Sequence, residues 1–214
     1  MKGIVVLISG RGSNLDAICN AGLTSEIKCV ISNNANAPGL EKAANKNIPT
    51  CILDHKKFKS REDFDSELFG IINNYTPELI VLAGFMRILT TKFVNHFQNR
   101  MINIHPSLLP SFTGFDAQKQ ALDAKVKVTG ATVHFVTPEL DHGPIIVQGV
   151  TKVCPNDTKE DLSNRVLELE HIIYPFAIQK ILQRQVEIIQ NSVKVIHDEN
   201  DLKILGKFYQ HIYY

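Results

Sequence analysis

The feature that most constrains the fold is an alternation of short apolar runs with helical patterns through the first half of the chain. The runs are apolar throughout rather than at alternate positions, which is typical of strands covered on both faces. The predicted strands are residues 4–8, 27–32, 49–53 and 79–83. The predicted helices between them are residues 14–21, 39–45 and 61–74. This alternation of strands and helices predicts a parallel sheet with right-handed crossovers.

The second half predicts antiparallel strands and a long helix. Residues 101–104 form a further predicted strand, and a proline-bounded loop follows it. Residues 129–136 and 144–153 are rich in β-branched side chains, and the loop between them suggests an antiparallel pair. Asp157 and Glu160 are predicted to form a capping box at the start of a helix that Pro175 could kink. Residues 192–196 are strand-like. We therefore predict a single α/β domain with a mostly parallel sheet, an antiparallel C-terminal part and flanking helices.

Composition excludes several classes of partner. Lys and Arg exceed Asp and Glu by one, 23 against 22, so no strong field would attract nucleic acid or an acidic membrane. The four cysteines have neither CxxC spacing nor a Cys/His cluster, which favours reduced thiols over a metal site or disulfides. The N-terminal apolar run is too short to span a membrane and lacks a signal-peptide cleavage pattern. These features predict a cytoplasmic protein, and a small anionic substrate remains possible because a few local donors can hold one phosphate.

A glycine-rich loop, residues 10–14 with the sequence GRGSN, lies between the first predicted strand and helix. Glycines let the backbone approach a ligand, and amides at a helix start can hold an anion. The dinucleotide fingerprint is incomplete because Leu15 replaces its third glycine. Residues 32–34, of sequence SNN, also lack the acidic residue that the fingerprint expects after the second strand. A phosphate site and a simple capped turn both remain open.

Two further loops carry the polar side chains that suggest chemistry. Asn103 and His105 lie two residues apart at the end of a predicted strand and should point to the same side. Open α/β sheets bind ligands beyond the carboxyl ends of their strands. Pro106 and Pro110 should stiffen the loop that follows. If Asp141 reaches His105, its charge would orient the ring and favour the imidazolium. Each residue alone is a weak signal.

Together, three segments resemble the glycinamide ribonucleotide formyltransferase family of purine synthesis. They are residues 10–14, residues 103–110 (NIHPSLLP) and residues 133–144, and the resemblance runs from the first strand to about Gln179. It implies a Rossmann-like formyltransferase fold in residues 1–189, with a phosphate-binding half to about residue 100 and a folate and catalytic half after it. Residues 190–214 would be a tail on the same domain.

The resemblance also implies a reaction. The formyl group of 10-formyltetrahydrofolate, a co-substrate, would pass to the amine of glycinamide ribonucleotide on the route to IMP. The enzyme would be a monomer or homodimer with no metal, nucleic-acid or membrane partner.

The resemblance assigns roles to individual residues. The catalytic trio would be Asn103, His105 and Asp141, and the substrate phosphate would be held by Gly12, Ser13 and Asn14. The glycinamide and ribose would lie near Met86 and Glu170. The folate would contact Arg61, Arg87, Ile88, Leu89 and Asn103. His134 would either support the trio or be a satisfied core histidine.

The chain departs from the family pattern at three places. His142 stands where the family has a small residue, Ser111 replaces a common basic residue, and residues 114–118 lack a threonine–histidine pair. These departures affect the expected details of folate binding and leave the trio complete.

Three alternatives share parts of the pattern. A formyltetrahydrofolate hydrolase would have the same trio but usually an extra N-terminal domain. A methionyl-tRNA formyltransferase would usually have an extra C-terminal domain and a basic surface. A non-catalytic nucleotide-binding module could keep the fold without the chemistry. The loop Gly12-Ser13-Asn14 resembles that of the ribonucleotide enzyme, and no linker or second domain is evident in the sequence, so this enzyme is the preferred prediction.

Overall fold

The computed structural model describes residues 3–190, 192–199 and 201. These residues fall into two compact units. The first contains residues up to 103 together with 135–138, and the second contains 104–134 and the described residues from 139 onward. Over this described part of the chain, no helix has both the length and the apolar character needed to cross a bilayer.

The first unit is built on parallel strands. They are β1 (Ile4–Ile8), β2 (Ile27–Ser32), β3 (Thr50–Ile52), β4 (Leu79–Leu82) and β5 (Met101–His105), whose last two residues belong to the second unit. The strand order is β3-β2-β1-β4-β5, and every adjacent pair is parallel. All residues of β1 and β4 are buried. The predicted parallel arrangement is therefore confirmed. Its physical reason is that strands covered on both faces need mainly apolar residues along their whole length.

The α-helices among the described residues of this unit are α1 (Ser13–Ile18), α2 (Pro38–Asn45), α3 (Arg61–Tyr75) and α4 (Thr91–His96). The first predicted helix is shorter than expected. It passes into a π-helical turn, Cys19–Leu23, in which Gly22 has a φ of 84°. The sequence did not predict α4 because six residues show little helical periodicity. Its start is set by Thr90, whose hydroxyl accepts a hydrogen bond from the N–H of Phe93.

The second unit contains antiparallel strands and the long helix. Strand β6 (Val128–Phe135), whose last residue belongs to the first unit, pairs with β7 (Ile145–Lys152) in antiparallel register. The other elements are α5 (Ala117–Asp123), α6 (Lys159–Leu182) and the antiparallel pair β8 (Val186–Ile189) and β9 (Ser192–Val195). The predicted α/β class with an antiparallel C-terminal part is confirmed. The last part of the predicted tail, residues 202–214, lies outside the described residues.

The predicted cap of the long helix is wrong by one residue. Thr158 is the N-cap: its hydroxyl accepts from the N–H of Asp161, and the Asp161 carboxylate accepts from the N–H of Thr158. Hydrogen bonds from Thr158 lower the pKa of Asp161. Asp157 instead forms an ion pair with Arg165 at 2.6 Å. The helix continues as one element through Pro175.

All four cysteines are free thiols, as expected. Cys19 and Cys29 are buried, and Cys51 and Cys154 are half-buried. Burial raises the pKa of the Cys19, Cys29 and Cys51 thiols, so little reactive thiolate forms near neutral pH. In the interior they act as small apolar side chains.

Candidate active site

The glycine-rich loop after β1 is held by a close backbone contact with the start of α2. Gly12 is the N-cap of α1 and has a φ of 71°. A Cβ atom on Gly12 would lie 2.7 Å from the Cα atom of Gly39. The N–H of Gly39 donates to the carbonyl oxygen of Gly10 at 3.1 Å. The first contact requires glycine at positions 12 and 39, because a Cβ atom on either would come too close to the backbone of the other segment. Ser13 and Asn14 follow as the first residues of α1.

The segment after β4 presents apolar side chains to solvent. Met86 is 74% exposed and Ile88 is 53% exposed, whereas Leu89 is buried in the core of this unit. The guanidinium of Arg87 lies over the ring of Phe64, 4.4 Å from its centroid, which is a cation–π contact. Arg61, also expected to meet the folate, is exposed at the first position of α3.

In the second unit, one buried carboxylate lies beside two buried imidazoles. Asp141 Oδ2 is 3.4 Å from His105 Nδ1, and Asp141 Oδ1 is 3.9 Å from His134 Nε2. The N–H of Gly114 donates to Asp141 Oδ2 at 2.8 Å, which fixes the carboxylate. All three side chains are nearly inaccessible to water, so their electrostatic interactions are weakly screened. The expected approach of Asp141 to His105 is present in the structure.

The other nitrogen of the His105 ring faces a backbone carbonyl. Nε2 lies 2.8 Å from the carbonyl oxygen of Phe112. Because a carbonyl oxygen only accepts hydrogen bonds, Nε2 carries a hydrogen in this arrangement. Phe112 has a φ of 58° and Asp141 a φ of 57°, and such values are uncommon outside glycine. Both strained residues lie next to the buried histidine, which is typical of functional sites.

The proline-bounded loop after His105 is tied to the antiparallel strands by side chains. The Thr132 hydroxyl donates to the carbonyl of Ser107 at 2.7 Å and accepts from the N–H of Leu109 at 3.0 Å. Gln148 donates to both Leu109 O and the Thr132 hydroxyl. Sequence reasoning missed Thr132 and Gln148 because their role is to bond a backbone, and only their inward positions on β-strands could have indicated it. These bonds keep the loop in one conformation.

The remaining predicted residues have varied environments. Asn103 is half-buried and precedes His105 by two residues on β5, so both side chains leave the same side of that strand. Glu170 lies on α6 and is 8% exposed. His142 is exposed, and its Nδ1 lies 3.7 Å from the carboxylate of Glu139, so it forms a surface contact.

Comparison with known proteins identifies the family. Residues 2–178 match the family model described as formyl transferase. The phosphoribosylglycinamide formyltransferase of Escherichia coli strain K12 is 46% identical over 193 residues, covering 88% of this chain and 91% of that protein. The chain belongs to the phosphoribosylglycinamide formyltransferase family. A formyltransferase solved from Symbiobacterium toebii, glycinamide ribonucleotide transformylase 1, has a TM-score of 0.89 at 42% identity and covers 92% of this chain and 95% of its own.

This chain also resembles part of a larger protein. The trifunctional purine biosynthetic protein adenosine-3 of Gallus gallus is 47% identical over 189 residues, which is 86% of this chain. The chain spans only 19% of the length of that relative. The formyltransferase sequence therefore occurs both in proteins of about this length and within a much longer one.

Proposed function

We propose that this chain transfers the formyl group of 10-formyltetrahydrofolate to the primary amine of glycinamide ribonucleotide. The products are formylglycinamide ribonucleotide and tetrahydrofolate, in the route to IMP. The observation that carries the proposal is the buried pair of His105 and Asp141 in a member of this family. Residues 1–189 form the formyltransferase domain of our proposal, followed by the tail 190–214. The substrates are small and water-soluble, and we place the reaction in the cytoplasm.

The reaction passes through a tetrahedral centre. The amine nitrogen of the ribonucleotide attacks the formyl carbon, forming a new C–N bond and moving an electron pair onto the formyl oxygen. The oxygen then returns this pair as the bond to N10 of the folate breaks. One proton leaves the amine, and one is delivered to N10. Donors aimed at the oxyanion are usually the largest catalytic contribution. In our proposal these donors are the Asn103 amide and the His105 ring.

Asp141 completes the proton transfers in this proposal. Its carboxylate lies 3.4 Å from His105 Nδ1 and stabilises positive charge on the ring. It also accepts the proton of the attacking amine and passes it towards N10, directly or through a water molecule. His105 Nε2 already donates to one carbonyl, that of Phe112. The formyl oxygen takes the place of that carbonyl when the folate binds.

Substrate contacts follow the family pattern in this proposal. Gly12, as the N-cap of α1, has no side chain with which to bond the first amides of that helix, and the substrate phosphate binds there with Ser13 and Asn14. Met86 and Glu170 border the glycinamide and ribose. The folate binds at Arg61, Arg87, Ile88, Leu89 and Asn103.

The test supplies 10-formyltetrahydrofolate with and without glycinamide ribonucleotide and follows loss of the formyl group from the folate. We expect rapid deformylation only when the ribonucleotide is present, with formylglycinamide ribonucleotide as the product. Equal rates with and without the ribonucleotide would instead identify a hydrolase. No deformylation in either mixture would indicate a binding module without this chemistry.

Changing both Ser13 and Asn14 to alanine should raise the KM for the ribonucleotide by at least about tenfold, because hydrogen bonds to a charged phosphate are lost. The KM for the folate should stay close to that of the unchanged protein. Steady-state kinetics with each substrate varied in turn measure both values.

A suitable control for this double change is Thr158→Ala, which also removes a hydroxyl at a helix start. It should lower the free energy of unfolding by about 1 kcal/mol and leave both KM values unchanged. If the double variant raises both KM values equally, the phosphate assignment is wrong.

A further inference from the structure

The segment after β4, residues 86–90, is held at each end by a side chain from another part of the chain. At one end, the N–H of Met86 donates to the Ser9 hydroxyl at 2.8 Å. At the other end, the N–H of Thr90 donates to Asp65 Oδ2 at 2.6 Å. Ser9 follows β1 and Asp65 lies on α3, so two separate elements define the path of this segment.

The peptide groups between these two ends lack hydrogen-bond partners within the described residues. Among the described residues, no group hydrogen-bonds the backbone N–H or C=O of Arg87, Ile88 or Leu89. Backbone groups with no partner in the protein bind water or a ligand. A flat heterocycle with donors and acceptors along one edge can therefore bind here, provided that the backbone is held in one conformation.

Asp65 is an unusual residue for its surroundings. It is 4% exposed, and Phe64 and Leu68, which precede it by one residue and follow it by three on α3, belong to the apolar core of this unit. Burying a carboxylate costs free energy that only good hydrogen bonds offset. Within the described part of the chain, its second oxygen, Oδ1, has no hydrogen-bond partner. Among the described residues, the one side-chain hydrogen bond of Asp65 is with the N–H of Thr90, and hydrogen bonds to a charged acceptor are stronger than neutral ones.

The same turn of α3 also holds the middle of the segment. The Phe64 ring lies under the guanidinium of Arg87, and Asp65 bonds the backbone of Thr90. Leu89 is buried in the same core. Thr90 in turn caps α4, so the end of the segment is fixed on both sides.

We infer that Asp65 and Ser9 are positioning residues for the folate: they fix the ends of the segment so that its open peptide groups meet the folate ring. This inference rests on the proposed function, in which Arg87, Ile88 and Leu89 bind the folate. The two residues differ in one respect. Ser9 immediately precedes the glycine-rich loop and donates to Asn33 Oδ1 at 2.5 Å. Within the described part of the chain, the Asp65 side chain hydrogen-bonds this segment alone.

Substitution of Asp65 should change the KM for the folate but not the KM for the ribonucleotide. Asp65→Ala should raise the KM for the folate by about tenfold, because one charge-assisted hydrogen bond is lost, and leave the KM for the ribonucleotide unchanged. Asp65→Asn keeps an oxygen acceptor for the N–H of Thr90 and should restore the folate KM to within about twofold of the original. Ser9→Ala should raise both KM values.

The matched control is Leu68→Ala, one turn further along α3. Leu68 is fully buried, so its truncation leaves a cavity and lowers the unfolding temperature but removes no hydrogen bond. We expect both KM values to remain unchanged in this variant. If Leu68→Ala raises the folate KM as much as Asp65→Ala does, Asp65 acts only through stability and the inference is wrong.

A direct binding measurement separates this inference from the proposed function. A folate analogue without a formyl group is titrated against each variant and followed by fluorescence. The inference requires weaker binding to Asp65→Ala than to Asp65→Asn, whether or not formyl transfer occurs. Equal binding by these two variants overturns it even if the unchanged protein is an active transferase. If Asp65→Ala does not fold, Asp65→Leu removes the acceptor without leaving a cavity and replaces it in the comparison.

Discussion

Replacing Asp141 with asparagine is expected to lower kcat by at least about a hundredfold, the usual contribution of a positioned acid–base group. The carboxylate lies beside the imidazoles of His105 and His134, and an amide cannot supply its charge or accept its proton. The amide oxygen can still accept the hydrogen bond from the N–H of Gly114, so the loop should keep its conformation. The kcat is measured with both substrates saturating, and the fold is checked by thermal unfolding.

Asp157→Asn is the matched control for this prediction. Asp157 is also a carboxylate of the second unit, and its hydrogen bonds are with Arg165 and the N–H of Cys154. We expect this variant to keep the kcat of the unchanged protein. If Asp141→Asn keeps more than about a tenth of the original kcat, the carboxylate is not part of the proton transfers.

The fold was largely predictable because its signals are local. Residues 4–8 and 27–32 were predicted as strands with their observed bounds, since each is a mainly apolar run flanked by polar or glycine residues. The capping box was misplaced because Asp157 and Thr158 are both good N-caps and are followed three residues later by Glu160 and Asp161. Which pair forms the capping box depends on where the first helical turn begins, and the sequence does not indicate that position.

The site was predictable only where side chains carry the chemistry. His105 and Asp141 could be paired because each stands in a recognisable motif. The carbonyl of Phe112 and the N–H of Gly114 also contact this pair, but backbone groups leave no residue-type signal in the sequence. The left-handed conformation of Phe112 is likewise invisible, because a phenylalanine does not predict a positive φ.

Asp65 shows a different limit of sequence reasoning. A polar residue in an amphipathic helix is normally assigned to the exposed face, yet Asp65 lies beside Phe64 in the core. Its partner is the backbone of Thr90, distant in sequence and without any motif. Such contacts form only when the elements pack together. Positioning residues are therefore the part of a site that is hardest to predict from a sequence.

The second large effect is expected for Gly12→Ala, which should lower the free energy of unfolding by at least about 2 kcal/mol. A left-handed φ of 71° is unfavourable for alanine, and the added Cβ would lie 2.7 Å from the Cα of Gly39. Backbone atoms cannot yield as a flexible side chain can, so the loop and α2 must separate. Because Gly12 caps α1, where the substrate phosphate is proposed to bind, we also expect the KM for the ribonucleotide to rise by at least about tenfold.

Gly70→Ala is the matched comparison, because it should change the free energy of unfolding in the opposite direction. Gly70 lies within α3, and an added Cβ there would meet no atom within 4 Å. The same substitution should therefore raise the free energy of unfolding by about 0.5–1 kcal/mol, since alanine is the better helix former. Denaturant unfolding of the two variants measures both changes. If Gly12→Ala unfolds at the same denaturant concentration as the unchanged protein, the two glycines are not in close contact, and the geometry of the proposed phosphate site must be revised.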